Sequence, residues 1–155
     1  MGLFGKKSYP FASCMEGSLI ELETVSDPVF AGKSMGEGFA YIPTVGKVMA
    51  PFDGEVVMVF KTKHAIGLID KSGLEFLIHI GLDTVKLQGE GFKEHIAVGD
   101  KIKQGDLLME FDMDLIKSKG YSLESCIILT NLYKRFSLIT KGDVKFGQSD
   151  LFSIR

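Results

Sequence analysis

The chain has 155 residues, 45% of them hydrophobic and 25% charged, the composition of one ordinary globular domain with a real core rather than a disordered chain. A formal net charge of -2, a pI of about 5.9 and no basic run longer than Lys6-Lys7 argue against nucleic-acid binding. The two cysteines, Cys14 and Cys126, lie far apart with no Cys-x-x-Cys pattern, which argues against a disulfide framework or a thiolate metal site.

The chain begins with a short leader, expected to be flexible over residues 1–12 and followed by a single domain over 13–155. The opening Met-Gly-Leu-Phe-Gly-Lys lacks the apolar segment of a signal peptide, and Lys6 stands where a myristoylation signal needs Ser or Thr. Gly5 and Pro10 oppose a long helix there. No stretch approaches the ~20 apolar residues that span a bilayer, so the expected location is the cytoplasm.

Beyond the leader, glycines recur at turn-like intervals between runs rich in Val, Ile and Phe. Strands are expected at Lys47–Ala50, Gly54–Phe60, Leu107–Phe111, Ile127–Thr130 and Leu151–Ile154. Turns are marked by Asp53-Gly54, Lys71-Ser-Gly73, Val98-Gly-Asp100 and Gln104-Gly-Asp106. One segment, Asp112–Gly120, reads as a short surface helix: an Asp at its start, an apolar pair, lysines in its last turn and a closing glycine. Many short strands with close turns predict an all-β sandwich or barrel with one or two short helices. A faint internal repeat relates Glu16-Gly17-Ser-Leu-Ile-Glu-Leu22 to Asp53-Gly54-Glu-Val-Val-Met-Val59, an offset of 54 − 17 = 37 residues, and the same offset carries Asp27 onto His64. Two such units facing each other suit a duplicated sandwich. Cys126, inside an apolar run, reads as an inert core thiol.

Two of the three histidines lie inside apolar, strand-like runs, where an imidazole costs free energy unless it has partners. A strand alternates faces with period two. His79 therefore shares a face with Leu77 and Glu75, while Phe76, Ile78 and Ile80 point into a core. His64 stands 15 residues earlier, with a turn between, the spacing of a hairpin whose arms bring the rings side by side. Thr62 can hydrogen-bond one nitrogen of His64, and the carbonyl of Gly81 can do the same for His79, leaving both Nε2 atoms aimed at one point. Such a pair suits phosphoryl transfer, one ring as nucleophile and the other steadying phosphoryl oxygens. It also suits zinc, except that a third ligand is missing: His95, in polar Phe92-Lys-Glu-His-Ile96, is expected to be exposed and unrelated.

The run Gly73-Leu-Glu-Phe-Leu-Ile-His79-Ile-Gly-Leu-Asp-Thr-Val85, followed by Leu87-Gln-Gly-Glu-Gly-Phe92, resembles the phosphorylation-site signature of glucose-type enzyme IIA of the bacterial phosphoenolpyruvate-dependent sugar phosphotransferase system. Asp27-Pro-Val-Phe-Ala31, Gly36-Glu-Gly-Phe-Ala40, Ala50-Pro-Phe-Asp-Gly54 and Lys61-Thr-Lys-His-Ala65 extend the likeness from about Ser13 to the C-terminus. The resemblance implies an antiparallel β-sandwich of the duplicated hybrid, or barrel-sandwich, type. It implies that His79 accepts a phosphoryl group on Nε2 from phosphorylated HPr and passes it to a cysteine of a IIB domain, itself joined to a membrane IIC domain that moves the sugar. His64 is then the stabilising neighbour, oriented by Thr62, with Gly81 holding His79. Asp27 and Asp83 match acidic positions beside the family's site, and Phe30, Phe60, Leu77 and Val85 match its apolar rim. Simple turn chemistry is the plainer reading of both aspartates. A phosphocarrier of this kind needs no cofactor or metal, binds no sugar itself and is expected to be a monomer.

Two other classes compete. A zinc peptidase of the small β-sandwich kind shares strand histidines and Val-x-x-Gly-Asp turns, but lacks its third ligand here. A lipoyl- or biotin-type carrier would need a lysine at an exposed hairpin tip between small apolar partners, and none is present.

Overall fold

The computed structural model describes residues 7–155. The strands are β1 (Gly17–Glu21), β2 (Glu37–Pro43), β3 (Lys47–Met49), β4 (Gly54–Val59), β5 (Ala65–Asp70), β6 (Glu75–His79), β7 (Phe92–Glu94), β8 (Lys101–Ile102), β9 (Leu107–Phe111), β10 (Ser125–Leu129), β11 (Phe136–Leu138), β12 (Gly142–Val144) and β13 (Phe152–Ile154). The helices are short: α1 (Pro28–Ala31) and α2 (Met113–Ser118), with 3-10 turns at Leu22–Thr24 and Thr84–Leu87. The fold is an all-β antiparallel sandwich. Among the described residues no helix is long and apolar enough to cross a membrane.

Eight strands form the main sheet in the order β12-β1-β2-β10-β6-β5-β4-β8, and β3-β9-β7 and β11-β13 form two smaller sheets. Alternation divides the main sheet's side chains into two apolar groups. Phe39, Tyr41, Ile66, Phe76 and Ile78 join Val48, Met109 and Phe152 of the smaller sheets in the principal core. The opposite face carries a second cluster of Ala40, Ala65, Leu77, Cys126 and Ile128, covered by Leu22, Val25 and Phe30. The segment between β1 and β2 therefore folds back over the sheet, and this lid over the second face positions the site described below.

The strand order is palindromic about the β10–β6 pair, which relates β1 to β4 and β2 to β5. Only the β1–β4 relation is the repeat read from the sequence, since an offset of 37 residues carries β2 onto β6 rather than β5, and the glycines that open β1 and β4 explain it. A Cβ on Gly17 would stand 2.3 Å from the carbonyl oxygen of Ile42, and one on Gly54 2.2 Å from that of Ile69. Each unit begins where a neighbouring strand passes too closely for any side chain.

The helix expected at Asp112–Gly120 forms as α2, with the Asp112 carboxylate accepting from the Leu115 amide at 3.1 Å and Gly120 at φ 88° closing it. The leader needs correction. Its first six residues lie outside the described residues, but the packed chain begins before residue 13: Phe11 is 3% exposed, and Tyr9 stacks on Phe152 with centroids 5.6 Å apart. An aromatic pair gains too much by burial to be left in a loose leader.

Candidate active site

The β5–β6 hairpin brings the two histidines together. Ala65 is the cross-strand partner of His79, and the Ile80 amide donates to the His64 carbonyl at 2.7 Å, so the rings are diagonal neighbours. Strict alternation from Ala65 would aim His64 with Ile66 into the principal core. The preceding turn prevents this: Lys63 is left-handed at φ 63°, its amide donates to the Phe60 carbonyl at 2.8 Å, and the irregular backbone turns the His64 ring toward His79. The ring centroids lie 4.9 Å apart at 81°. Phe60 packs edge-on against His64 at 5.3 Å, and Phe30, brought over by α1, lies 4.8 Å from His79.

Each ring has a defined partner at Nδ1. His79 Nδ1 is 2.8 Å from the Gly81 carbonyl oxygen. A carbonyl can only accept, so Nδ1 carries the proton and Nε2 keeps its lone pair. His64 Nδ1 is 2.7 Å from the Thr62 hydroxyl. A hydroxyl can donate as well as accept, so the His64 contact does not force a free Nε2 as the carbonyl does for His79; donation from Thr62 leaves His64 with an Nε2–H instead.

His64 is buried, 3% exposed, while His79 is half-buried. Burial, and His79 beside it, push the pKa of His64 down to about 4. Burial also lowers that of His79, opposed by the Gly81 carbonyl and by the nearby negative charges of Asp27 and Asp83. At neutral pH both imidazoles are therefore uncharged. Along the sheet, His79 is flanked by the small side chains of Ala65 and Cys126, its partners on either side, which leave the ring room in its row.

The structure thus brings together His64, His79, Thr62, Gly81, Asp27, Asp83, Phe30 and Phe60. Val85 is 46% and Phe60 37% exposed, as an apolar rim requires. Two expected rim residues are placed otherwise. Leu77 is 8% and Phe30 5% exposed, both in the second cluster, because Phe30, carried on the β1–β2 segment, packs down on the sheet face that Leu77 shares with His79. Asp27 shows the turn chemistry expected of it, its carboxylate capping α1 by accepting from the Val29 amide at 2.9 Å, and its charge lies near enough to act on His79. His95 is apart from the pair, its Nε2 3.6 Å from Glu110. Among the described residues, no three His, Cys, Asp or Glu side chains are grouped as a metal ion would need. The sequence reading missed Val29, 50% exposed next to Phe30, and the flanking Cys126, whose thiol burial pushes up to about 12. No local signal marks Cys126 as a neighbour of His79; only the sheet order does.

A sandwich that presents two neutral imidazoles side by side, one with a fixed lone pair, has the arrangement that histidine-based phosphoryl transfer requires. Residues 10–134 match the family described as "phosphoenolpyruvate-dependent sugar phosphotransferase system, EIIA 1". The chain is 44% identical over 143 residues to the "PTS system glucose-specific EIIA component" of Halalkalibacterium halodurans, covering 91% of this chain and 83% of that protein. It is 50% identical over 117 residues to the protein of the same description from Bacillus cereus, covering 76% of this chain and 71% of the relative. It is also 52% identical to part of the "PTS system glucosamine-specific EIICBA component" of Bacillus subtilis, over 76% of this chain but 18% of that longer protein. The solved glucose permease IIA from Mycoplasma capricolum superposes with a TM-score of 0.88 at 37% identity, covering 98% of this chain and 99% of that one. The chain belongs to the EIIA 1 family: it is a IIA-type phosphocarrier component of the sugar phosphotransferase system.

Proposed function

We propose that His79 is the phosphoryl acceptor of this chain, that HPr is its donor and that a cysteine of a IIB domain receives the group. One observation carries the assignment: the Gly81 carbonyl at 2.8 Å holds the Nδ1 proton of His79 and leaves its Nε2 lone pair for phosphorus. In the first step the N–P bond of the donor phosphohistidine breaks as the His79 Nε2–P bond forms, in line. In the second, that bond breaks as the cysteine thiolate of the IIB domain takes the phosphoryl group. Nδ1 stays protonated throughout, so the ring needs no proton transfer to leave. His64 stands beside it as a neutral donor, its Nε2–H directed to a phosphoryl oxygen when the Thr62 hydroxyl donates to its Nδ1.

Asp27 and Asp83 flank the acceptor, and exposed Phe60, Val85 and Val29 supply apolar area for brief docking. Phe30 and Leu77 support that surface from beneath. This reading has one domain act as a monomer in the cytoplasm, with no contact to the sugar; the relatives described as glucose-specific favour a glucose permease as the partner.

The test supplies phosphoenolpyruvate, enzyme I and HPr and follows acid-labile, base-stable phosphate on the chain. His79→Ala abolishes labelling, whereas His64→Ala is labelled but passes the group on poorly. Normal labelling of His79→Ala refutes the assignment.

A further inference from the structure

The carbonyl that fixes His79 is itself fixed from a segment 44 residues further along the chain. Gly81 has φ 70°, and the two peptide groups around it are tied at both ends. In the first, the Ile80 carbonyl accepts from the buried Thr84 hydroxyl, and the Gly81 amide donates to Ser125 Oγ at 3.1 Å. In the second, the Leu82 amide donates to the Ser122 carbonyl at 3.1 Å, and the Gly81 carbonyl accepts from His79. Ser125 is 0% exposed, and its hydroxyl proton is committed to the Leu123 carbonyl at 2.8 Å, so its oxygen is available to Gly81 only as an acceptor.

We infer that Ser125 is a positioning residue for the acceptor: by holding the Gly81 amide it sets the carbonyl that keeps the proton of His79 on Nδ1. The inference rests on His79 being the phosphoryl acceptor. Without Ser125 Oγ, the Gly81 amide is a buried donor with no acceptor, and rotation of that peptide to find water swings the adjoining carbonyl off His79. Thr62 lies on a different turn and holds His64 independently, so the effect falls on one ring of the pair.

The experiment compares wild type, Ser125→Ala and Ser125→Thr by ¹⁵N NMR of the histidine side chains, at a pH where both rings are neutral and with no phosphoryl donor present. Ser125→Ala is expected to weaken the Nδ1–H preference of His79 about three- to tenfold, the worth of one hydrogen bond. The His64 tautomer stays as it was, and Ser125→Thr, which keeps the hydroxyl, restores His79. The rate of labelling from phosphorylated HPr follows the same order. Should Ser125→Ala not fold, Ser125→Cys, with a weaker acceptor of similar size, takes its place. An unchanged His79 tautomer in the folded variant overturns the role of Ser125. Failure of the wild type to take up phosphate overturns the relay reading instead, and the tautomer comparison separates the two.

Discussion

Replacing His64 by Gln tests the burial of that ring through the pH dependence of stability. An unfolded histidine titrates near 6.5, whereas His64 in the fold is held down to about 4, first by burial and second by His79. Between those values the unfolded chain takes up a proton that the native state refuses. The stabilisation is thus complete above the unfolded value and is lost as pH falls toward the folded one. At pH 5 the unfolded group lies 1.5 units past its midpoint while the folded one is still mostly neutral. At about 1.36 kcal/mol per unit, the fold loses about 2 kcal/mol relative to pH 7 through this residue. Gln keeps an amide for Thr62 and has nothing to titrate. Urea unfolding at pH 7, 6 and 5 should therefore show the wild type losing about 2 kcal/mol more than His64→Gln, the other titrating groups being common to both. Parallel slopes, differing by less than about 0.5 kcal/mol, would refute the claim that His64 is buried and neutral.

Two further substitutions test neighbouring claims. At Gly81 a Cβ would lie 2.6 Å from Thr84 Cγ2 and 2.9 Å from the Ser122 carbonyl, on a left-handed backbone. Gly81→Ala should cost about 1–3 kcal/mol in chemical denaturation and slow His79 labelling about 10- to 100-fold, because the His79 carbonyl partner moves. Ser153 is 1% exposed, and its hydroxyl has no partner among the described residues. Ser153→Ala should raise stability by about 1 kcal/mol with labelling unaltered, since it removes an unpaired polar atom; a loss of stability there would mean the hydroxyl has a partner.

Local chemistry was legible in the sequence where it acts over a few residues. The β5–β6 hairpin follows from the 15-residue spacing and the Lys71-Ser-Gly73 turn, α2 from its Asp112 cap and Gly120 stop, and the duplicated sandwich from the paired Gly17 and Gly54 strands. The Nδ1 partners of both rings could also be read, since each lies two residues from its histidine. What period-two counting cannot give is the covering of a face. It put Leu77 beside His79 correctly, yet nothing local reveals that the β1–β2 segment lies across both and buries Leu77 with Phe30. Likewise the contacts from Ser122 and Ser125 depend on β10 pairing with β6, a long-range register that no spacing in the chain announces.

On the proposed reading, the division of labour between the two rings follows from their surroundings. A relay must hold a phosphoryl group firmly enough to accept it and loosely enough to surrender it, so a group that binds acceptor state and transition state equally gains nothing. A protonated His64 would form a charge-assisted hydrogen bond to the phosphoryl dianion, about twice as strong as a neutral one, and would trap it on His79. Burial prevents this by keeping His64 uncharged, so that it offers a donor whose grip grows only as charge gathers on the phosphoryl oxygens during transfer. With His79 as the proposed acceptor, Asp27 and Asp83 act on the other side: their charges lie near the ring that would carry the dianion, and their repulsion would favour its departure. On the proposed reading, the apolar cover over His64 and the carboxylates around His79 are two parts of one adjustment, which keeps the N–P bond close in free energy to those of its donor and its acceptor.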